Sequence, residues 1–316
     1  MKRLRQDRQG IIGAILALIV ILVVVIIVAA LLFIPFRSTP VEENRKAAIG
    51  AGVEALNLNV NLNVGEVTVK FVDNPEVAVA MNVSGHYRSG LLGSQEPVNI
   101  TWDERTDGDT LTVTAGVSLG DSIIPFFSSD ISCTLLVSSQ LRTALMVSNG
   151  MGGLDVETSN GVKLTSMDLK VSTGGIRANI ADNTTLNGPL SMRSTTGGVE
   201  LTWSNVVAGD NASVALSTNT GGVRATVTQT EGLGSNVTFN AEANTGGIDL
   251  TMNLAGNTSA HVMSTTTVGG VSVQDQTGFN GADRDLRSDN YVSDSNFETN
   301  LKTNTGGISL HLKYKA

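Results

Sequence analysis

The chain has 316 residues, a mass of 33.0 kDa and a formal net charge of −8. Charged residues make up 16%, too few for an acidic disordered chain, and aromatics only 4%, too few for a conventional large core built on Phe, Tyr and Trp. The single cysteine excludes an internal disulfide framework and a multi-cysteine zinc site.

The charge is divided unevenly. Residues 1–46 carry seven Lys/Arg against Asp7, Glu42 and Glu43, a sum of +4, so the rest carries −12. An acidic body lacks the basic face that a phosphate backbone needs, which excludes nucleic acid as its partner.

The first element is an apolar run. Residues 1–10 form a basic stub, with Lys2, Arg3, Arg5 and Arg8. Residues 11–36 then contain no charge. A helix of that length spans about 39 Å, enough to cross a bilayer with some tilt. The run is longer than the apolar part of a cleaved signal peptide and ends in Ile34-Pro35-Phe36-Arg37, which is no cleavage signal. It predicts an uncleaved single-pass anchor. The basic flank sets the N-terminus in the cytoplasm and the remainder outside the cell membrane. Residues 37–53 read as a linker, with a helical turn or two near 41–48.

Residues 54–148 read as non-repetitive strands. Leu56, Leu58, Val60, Leu62 and Val64 alternate with Asn57, Asn59, Asn61 and Asn63, then Gly65-Glu66 leads into a second alternating run, Val67 to Phe71. Cys133, within Ile131 to Leu136, reads as a buried strand residue. Ile123-Ile124-Pro125-Phe126-Phe127 is the densest apolar patch outside the anchor and reads as an end cap.

Residues 149–316 repeat. Turn glycines fall at Gly153, Gly161, Gly175, Gly198, Gly222, Gly247, Gly270 and Gly307, each preceded by Gly except Gly161, which follows Asn160. From Gly153 to Gly270, leaving out Gly161, the steps are 22, 23, 24, 25 and 23 residues, and the last, to Gly307, is 37. After every turn an aliphatic residue is followed by a polar, an apolar and a second polar one, as in Val199-Glu200-Leu201-Thr202. That is a strand with one buried face. Two strands per repeat of about 23 residues suit one coil of a β-solenoid. A row of hairpins has the same period, but small aliphatic positions stack well in a narrow core and favour the solenoid. If coils stack, Arg177, Glu200, Arg224 and Asp249 form a ladder of alternating sign.

The chain also resembles a known family. Leu62-Asn63-Val64-Gly65-Glu66-Val67-Thr68-Val69, Asp107-Gly108-Asp109-Thr110-Leu111-Thr112-Val113 and the serial Thr-Gly-Gly-(Val/Ile) turns, as at Thr220 to Val223, are similar to the adhesin domain family of toast-rack β-solenoids. The resemblance covers residues 54–315 and implies an extracytoplasmic, all-β, non-enzymatic module with no active-site residues to carry over.

Candidates for chemistry are sparse. His86, His261 and His311 match no metal spacing, and no nucleophile elbow or dinucleotide fingerprint occurs. No cofactor is expected. The insertion at 275–296 holds Asp283, Asp285, Asp289 and Asp294 with Asn280 and Asn290, an oxygen-rich set that could take calcium, although Arg284 and Arg287 lie among the acids. Six sequons mark candidate N-glycosylation sites: Asn82, Asn99, Asn183, Asn211, Asn236 and Asn257. The expected function is that of an adhesin-like or scaffold protein at the cell surface, binding a protein or a cell-surface glycan without catalysis. The alternatives are an envelope-associated regulatory accessory and a glycan-active β-helix enzyme, which would need two carboxylates across a groove.

Overall fold

The computed structural model describes residues 18–26, 37–89, 98–119, 130–291 and 296–316. Among the described residues no helix is long and apolar enough to cross a membrane, and residues 18–26 are helical and exposed. The rest of the expected anchor, the basic stub, the patch Ile123–Phe127 and Asp294 lie outside the described residues.

All other regular structure among the described residues is β. It forms two sheets, of 11 and 14 described strands, that face each other. Along each strand the alternation read from the sequence becomes burial: in Val199–Ser204, Val199, Leu201 and Trp203 are at most 1% exposed. The chain rises on one sheet, crosses the Gly-Gly corner, and continues on the other. Pro189–Thr196 runs to Gly197-Gly198 and then Val199–Ser204. Both halves pair parallel with those of the next coil. Leu190 lies beside Val214 and Val199 beside Val223. Parallel, in-register pairing on both sheets is solenoid winding, because hairpins would pair antiparallel.

The core is a stack of Leu, Val, Ile and Met between the sheets. Trp203 and Phe297 meet edge-on inside it, with ring centroids 5.9 Å apart. The buried Trp203 indole donates to Gln229 Oε1 at 2.9 Å, and the Gln229 amide in turn donates to the Glu231 carbonyl at 3.1 Å. A polar group so deep needs such partners.

Three differences from the sequence reading concern order and boundaries. First, residues 37–48 are not a tether. Arg37–Ala48 is a strand, antiparallel to Val77–Ser89 at one end of the 11-stranded sheet. Alternation is hidden there by Pro40 and the charged run Glu42 to Lys46, which suit an outer edge.

Second, residues 54–148 belong to the same stack as 149–316. Ala55–Val64 pairs in register with Arg142–Met151, and Gly65-Glu66 forms the corner beneath Gly152-Gly153.

Third, stacking order departs from chain order at both ends. The coil of Ala55–Val64 and Glu66–Val72 lies between one made of Thr110–Leu119 with Asp130–Ser138 and one made of Arg142–Met151 with Leu154–Glu157. The coil of Asn296–Thr305 and Ile308–Lys315 slots between the Gly246 and Gly269 coils. Coils near both ends of the described β chain are therefore interior. Antiparallel elements take three of the four sheet edges, Arg37–Ala48, Val98–Asp107 and the hairpin Phe279–Ala282 with Asp285–Ser288, while Val271–Thr277, parallel to Ile308–Lys315, takes the fourth.

Candidate functional site

The corners build an extended concave feature. The first glycine of each pair has positive φ, 139° at Gly174 and 142° at Gly197, a region L side chains rarely enter. A β-carbon on Gly197 would stand 2.0 Å from the Gly174 carbonyl oxygen of the coil beside it. Stacking thus fixes the first glycine, through Gly152, Gly174, Gly197, Gly221, Gly246, Gly306 and Gly269 in spatial order. The Gly174 carbonyl accepts from Ser194 Oγ at 2.9 Å, and Gly197 and Gly246 accept from Thr218 and Thr303. The hydroxyls crowded before the corners are partly inward donors of this kind, a role the sequence reading missed. The signal was Ser or Thr three residues before the first glycine.

The second glycine is different. Gly175, Gly198 and Gly222 have ordinary φ, and a β-carbon there would meet the nearest carbonyl at 3.5–3.6 Å, an ordinary contact. Glu66 fills this position in its own coil. What the second glycines do instead is leave the corner open. Gly153, Gly175, Gly198, Gly222, Gly247, Gly307 and Gly270 line one groove of about 960 Å³ along the stack. At about 4.8 Å per coil, seven corners make it roughly 29 Å between the outermost strands.

One wall carries the charges. Asp155, Arg177, Glu200, Arg224 and Asp249 stand side by side, followed by Ser309 and Ser272. Arg177 bonds Glu200 at 3.1 Å and approaches Asp155 at 3.8 Å, and Arg224 reaches Asp249 at 3.5 Å. Each acid of the wall is thus matched by an arginine. Exposed pairs contribute about 0–1 kcal/mol each, so the wall sets pattern more than stability.

Gly161 is not part of this row. Its turn lies at the opposite corner, and Lys163 pairs with Arg142 and Thr185 rather than with Arg177. The alternation after Asn160-Gly161 matches that after the Gly-Gly corners because both sheets share the same period, and its half-step spacing agrees with a turn at the opposite corner.

The remaining candidates separate. All six sequon asparagines are exposed. Asn82 lies on Val77–Ser89 and donates to Asn44 at 2.7 Å, Asn99 lies on the edge strand Val98–Asp107, and the other four lie on the loops away from the glycine corners. Cys133 is buried, and burial pushes its thiol up to about 12. His86 is exposed in a strand, and His311 lies beside Thr251 on Ile308–Lys315.

His261 is the most connected of the three histidines. It is 8% exposed, with Nε2 at 2.9 Å from Asp285 and Nδ1 at 3.1 Å from Glu298. The Tyr291 hydroxyl donates to the other Glu298 oxygen at 2.7 Å, and that bond raises the tyrosine's pKa above its ordinary value. The insertion folds as a hairpin held by this cluster. Asp289 accepts from Asn280. Among the described residues no group of three His, Cys, Asp or Glu is placed to hold a metal ion.

No protein-family model and no curated protein matches the chain. Solved structures to which it is similar include two with provisional names. One, from Clostridium sporogenes ATCC 15579, is described as a cell adhesion protein: 16% identity, TM-score 0.42, covering 88% of this chain and 100% of that one. The other, from Bacteroides fragilis NCTC 9343, is described as an adhesin: 15% identity, TM-score 0.37, covering 86% of this chain and 97% of that one.

Proposed function

We propose that the chain is a single-pass protein of the cell membrane, N-terminus inside, that displays its β-stack outside and acts by binding an extended surface partner along the glycine-floored groove, without catalysis. One observation carries the binding reading. Seven second-position glycines that line a continuous groove repeat where the backbone does not demand glycine in most coils. A side chain there would fill the groove at little cost to the fold. The uncharged run 11–36 beside a basic stub supports the anchoring and its direction.

A filled groove tests the binding. Gly198→Leu is expected to leave the melting temperature within a few degrees of the parent, since its β-carbon meets Gly222 no closer than 3.6 Å. On intact cells, a photocrosslinker placed at Ser309 should capture a partner from the parent protein and far less from the filled variant. Equal capture by both would reject the groove as the contact. Topology has its own readout. Because Cys133 is buried, a Ser217→Cys variant should take up a membrane-impermeant maleimide on intact cells while the parent does not. Labelling only after lysis would place the stack inside.

A further inference from the structure

A second depression, of about 420 Å³, lies on the outer face of the 14-stranded sheet, on the other side of the corner from the groove. Its floor is open at Gly150, where backbone contact with Asn63 leaves no room for a β-carbon. Its rim holds Lys170 and Arg193, which are register partners on adjacent parallel strands. Two cations about 4.8 Å apart across a sheet repel each other. The groove wall alternates in sign and Glu242 stands beside Lys302. Arg142 and Lys163 are a second like-charged pair, in which Arg142 is bound by Glu54 and Asp109. At the rim of this depression Lys170 is bound by Asp168 at 2.6 Å, while no carboxylate among the described residues pairs with Arg193. What sets this place apart is the combination of an arginine without a carboxylate partner and a concavity, on a body of net charge −12, which leaves the guanidinium open to an anionic group from outside.

We infer that this depression is a subsite for a carboxylate-bearing sugar, with the Arg193 guanidinium as the carboxylate clamp. The planar guanidinium offers two parallel N–H donors that fit a carboxylate. Around it Ser148, Ser172 and Thr195 present hydroxyls and Asn61 an amide, neutral partners suited to the hydroxyls of a sugar ring. A peptide is disfavoured here. The strands are interior to the sheet, so their main-chain groups are already paired and cannot add an extended segment. A densely charged polyanion is disfavoured by the acidic body. The site does not depend on the groove.

The test is a titration of the full chain with trigalacturonate at low salt, followed by NMR or calorimetry, against neutral trigalactose, inorganic phosphate and triglutamate. Trigalacturonate should bind, trigalactose should bind at least tenfold more weakly, and raised salt should weaken the complex. Arg193→Ala should lose about tenfold or more, and Arg193→Lys should recover part of it. Arg193→Ala should also melt no lower than the parent, because it relieves the like-charge pair. A lower melting temperature with unchanged binding would make Arg193 a structural residue and overturn the proposal. So would affinity unchanged in Arg193→Ala or equal for trigalactose. Phosphate or triglutamate binding as tightly as trigalacturonate would overturn the sugar assignment.

Discussion

The carbonyl oxygen of Gly174 lies 2.0 Å from where a β-carbon of Gly197 would sit, whereas at Gly198 the nearest carbonyl is 3.6 Å away. Neighbouring glycines therefore do different work: one lets coils approach, the other leaves the groove empty. Gly197→Ala must adopt a positive φ and push the adjacent backbone away, and strain plus displacement should cost about 3–5 kcal/mol. Gly198→Ala should change stability by less than about 1 kcal/mol. Chemical denaturation of both variants checks this, and equal losses would contradict the division of labour.

The placement of the last coil makes an unusual stability prediction. Leu310, on the last strand, is fully buried with neighbouring coils on both sides. In a stack built in chain order, the final coil would be the outer one and would fray. Here Leu310→Ala should cost about 2–5 kcal/mol, as much as Leu201→Ala in the middle of the stack. A loss for Leu310→Ala much smaller than that for Leu201→Ala would show that the last coil is peripheral.

The same interleaving explains what the sequence could and could not reveal. The repeat, its alternation and the ladder from Arg177 to Asp249 were legible because each depends on spacing within consecutive coils. Coil order was not, because a 37-residue step reads identically whether the insertion bulges from a stack or carries the chain past a gap that Asn296–Lys315 then fills. Gly65-Glu66 escaped as a corner for a chemical reason: only the first glycine is obligatory, and the reading keyed on the second. The Lys170–Arg193 pairing was invisible because it depends on register between strands 23 residues apart on the sheet whose turns are less regular.

Cys133 reports on opening of the stack. Its thiol is buried and its pKa is pushed up to about 12 by desolvation. Well below pH 9, the ordinary value for a thiol, the group is neutral in the folded and unfolded chain, so it contributes no pH dependence there. Between pH 9 and 12 the unfolded thiol ionises first, and stability should fall as pH rises, by up to about 1.4 kcal/mol per unit. At pH 8 native protein should resist maleimide for hours and react at once in denaturant. A Cys133→Ala variant should lose this part of the alkaline slope. Fast labelling of the native protein would place the thiol outside the core.

His261 fastens the hairpin to the stack. Its two ring nitrogens reach Asp285 on the hairpin and Glu298 on the neighbouring interior strand, and the Arg287 guanidinium packs over Tyr291 at 5.5 Å from the ring centroid. Replacing the imidazole with a methyl group removes both links and leaves Glu298 with Tyr291 and Asp285 with Arg287. His261→Ala should cost about 1–3 kcal/mol, as expected for hydrogen bonds to charged groups. Because the hairpin pairs with only three residues of Ser259–Val268, that cost should appear as local opening. Hydrogen exchange at residues 279–288 should accelerate by about tenfold or more, while amides in Val223–Gln229, deep in the stack, keep their protection. Uniform acceleration across both regions would mean that His261 supports the whole fold rather than its end, and unchanged exchange at 279–288 would mean that the ring fastens nothing.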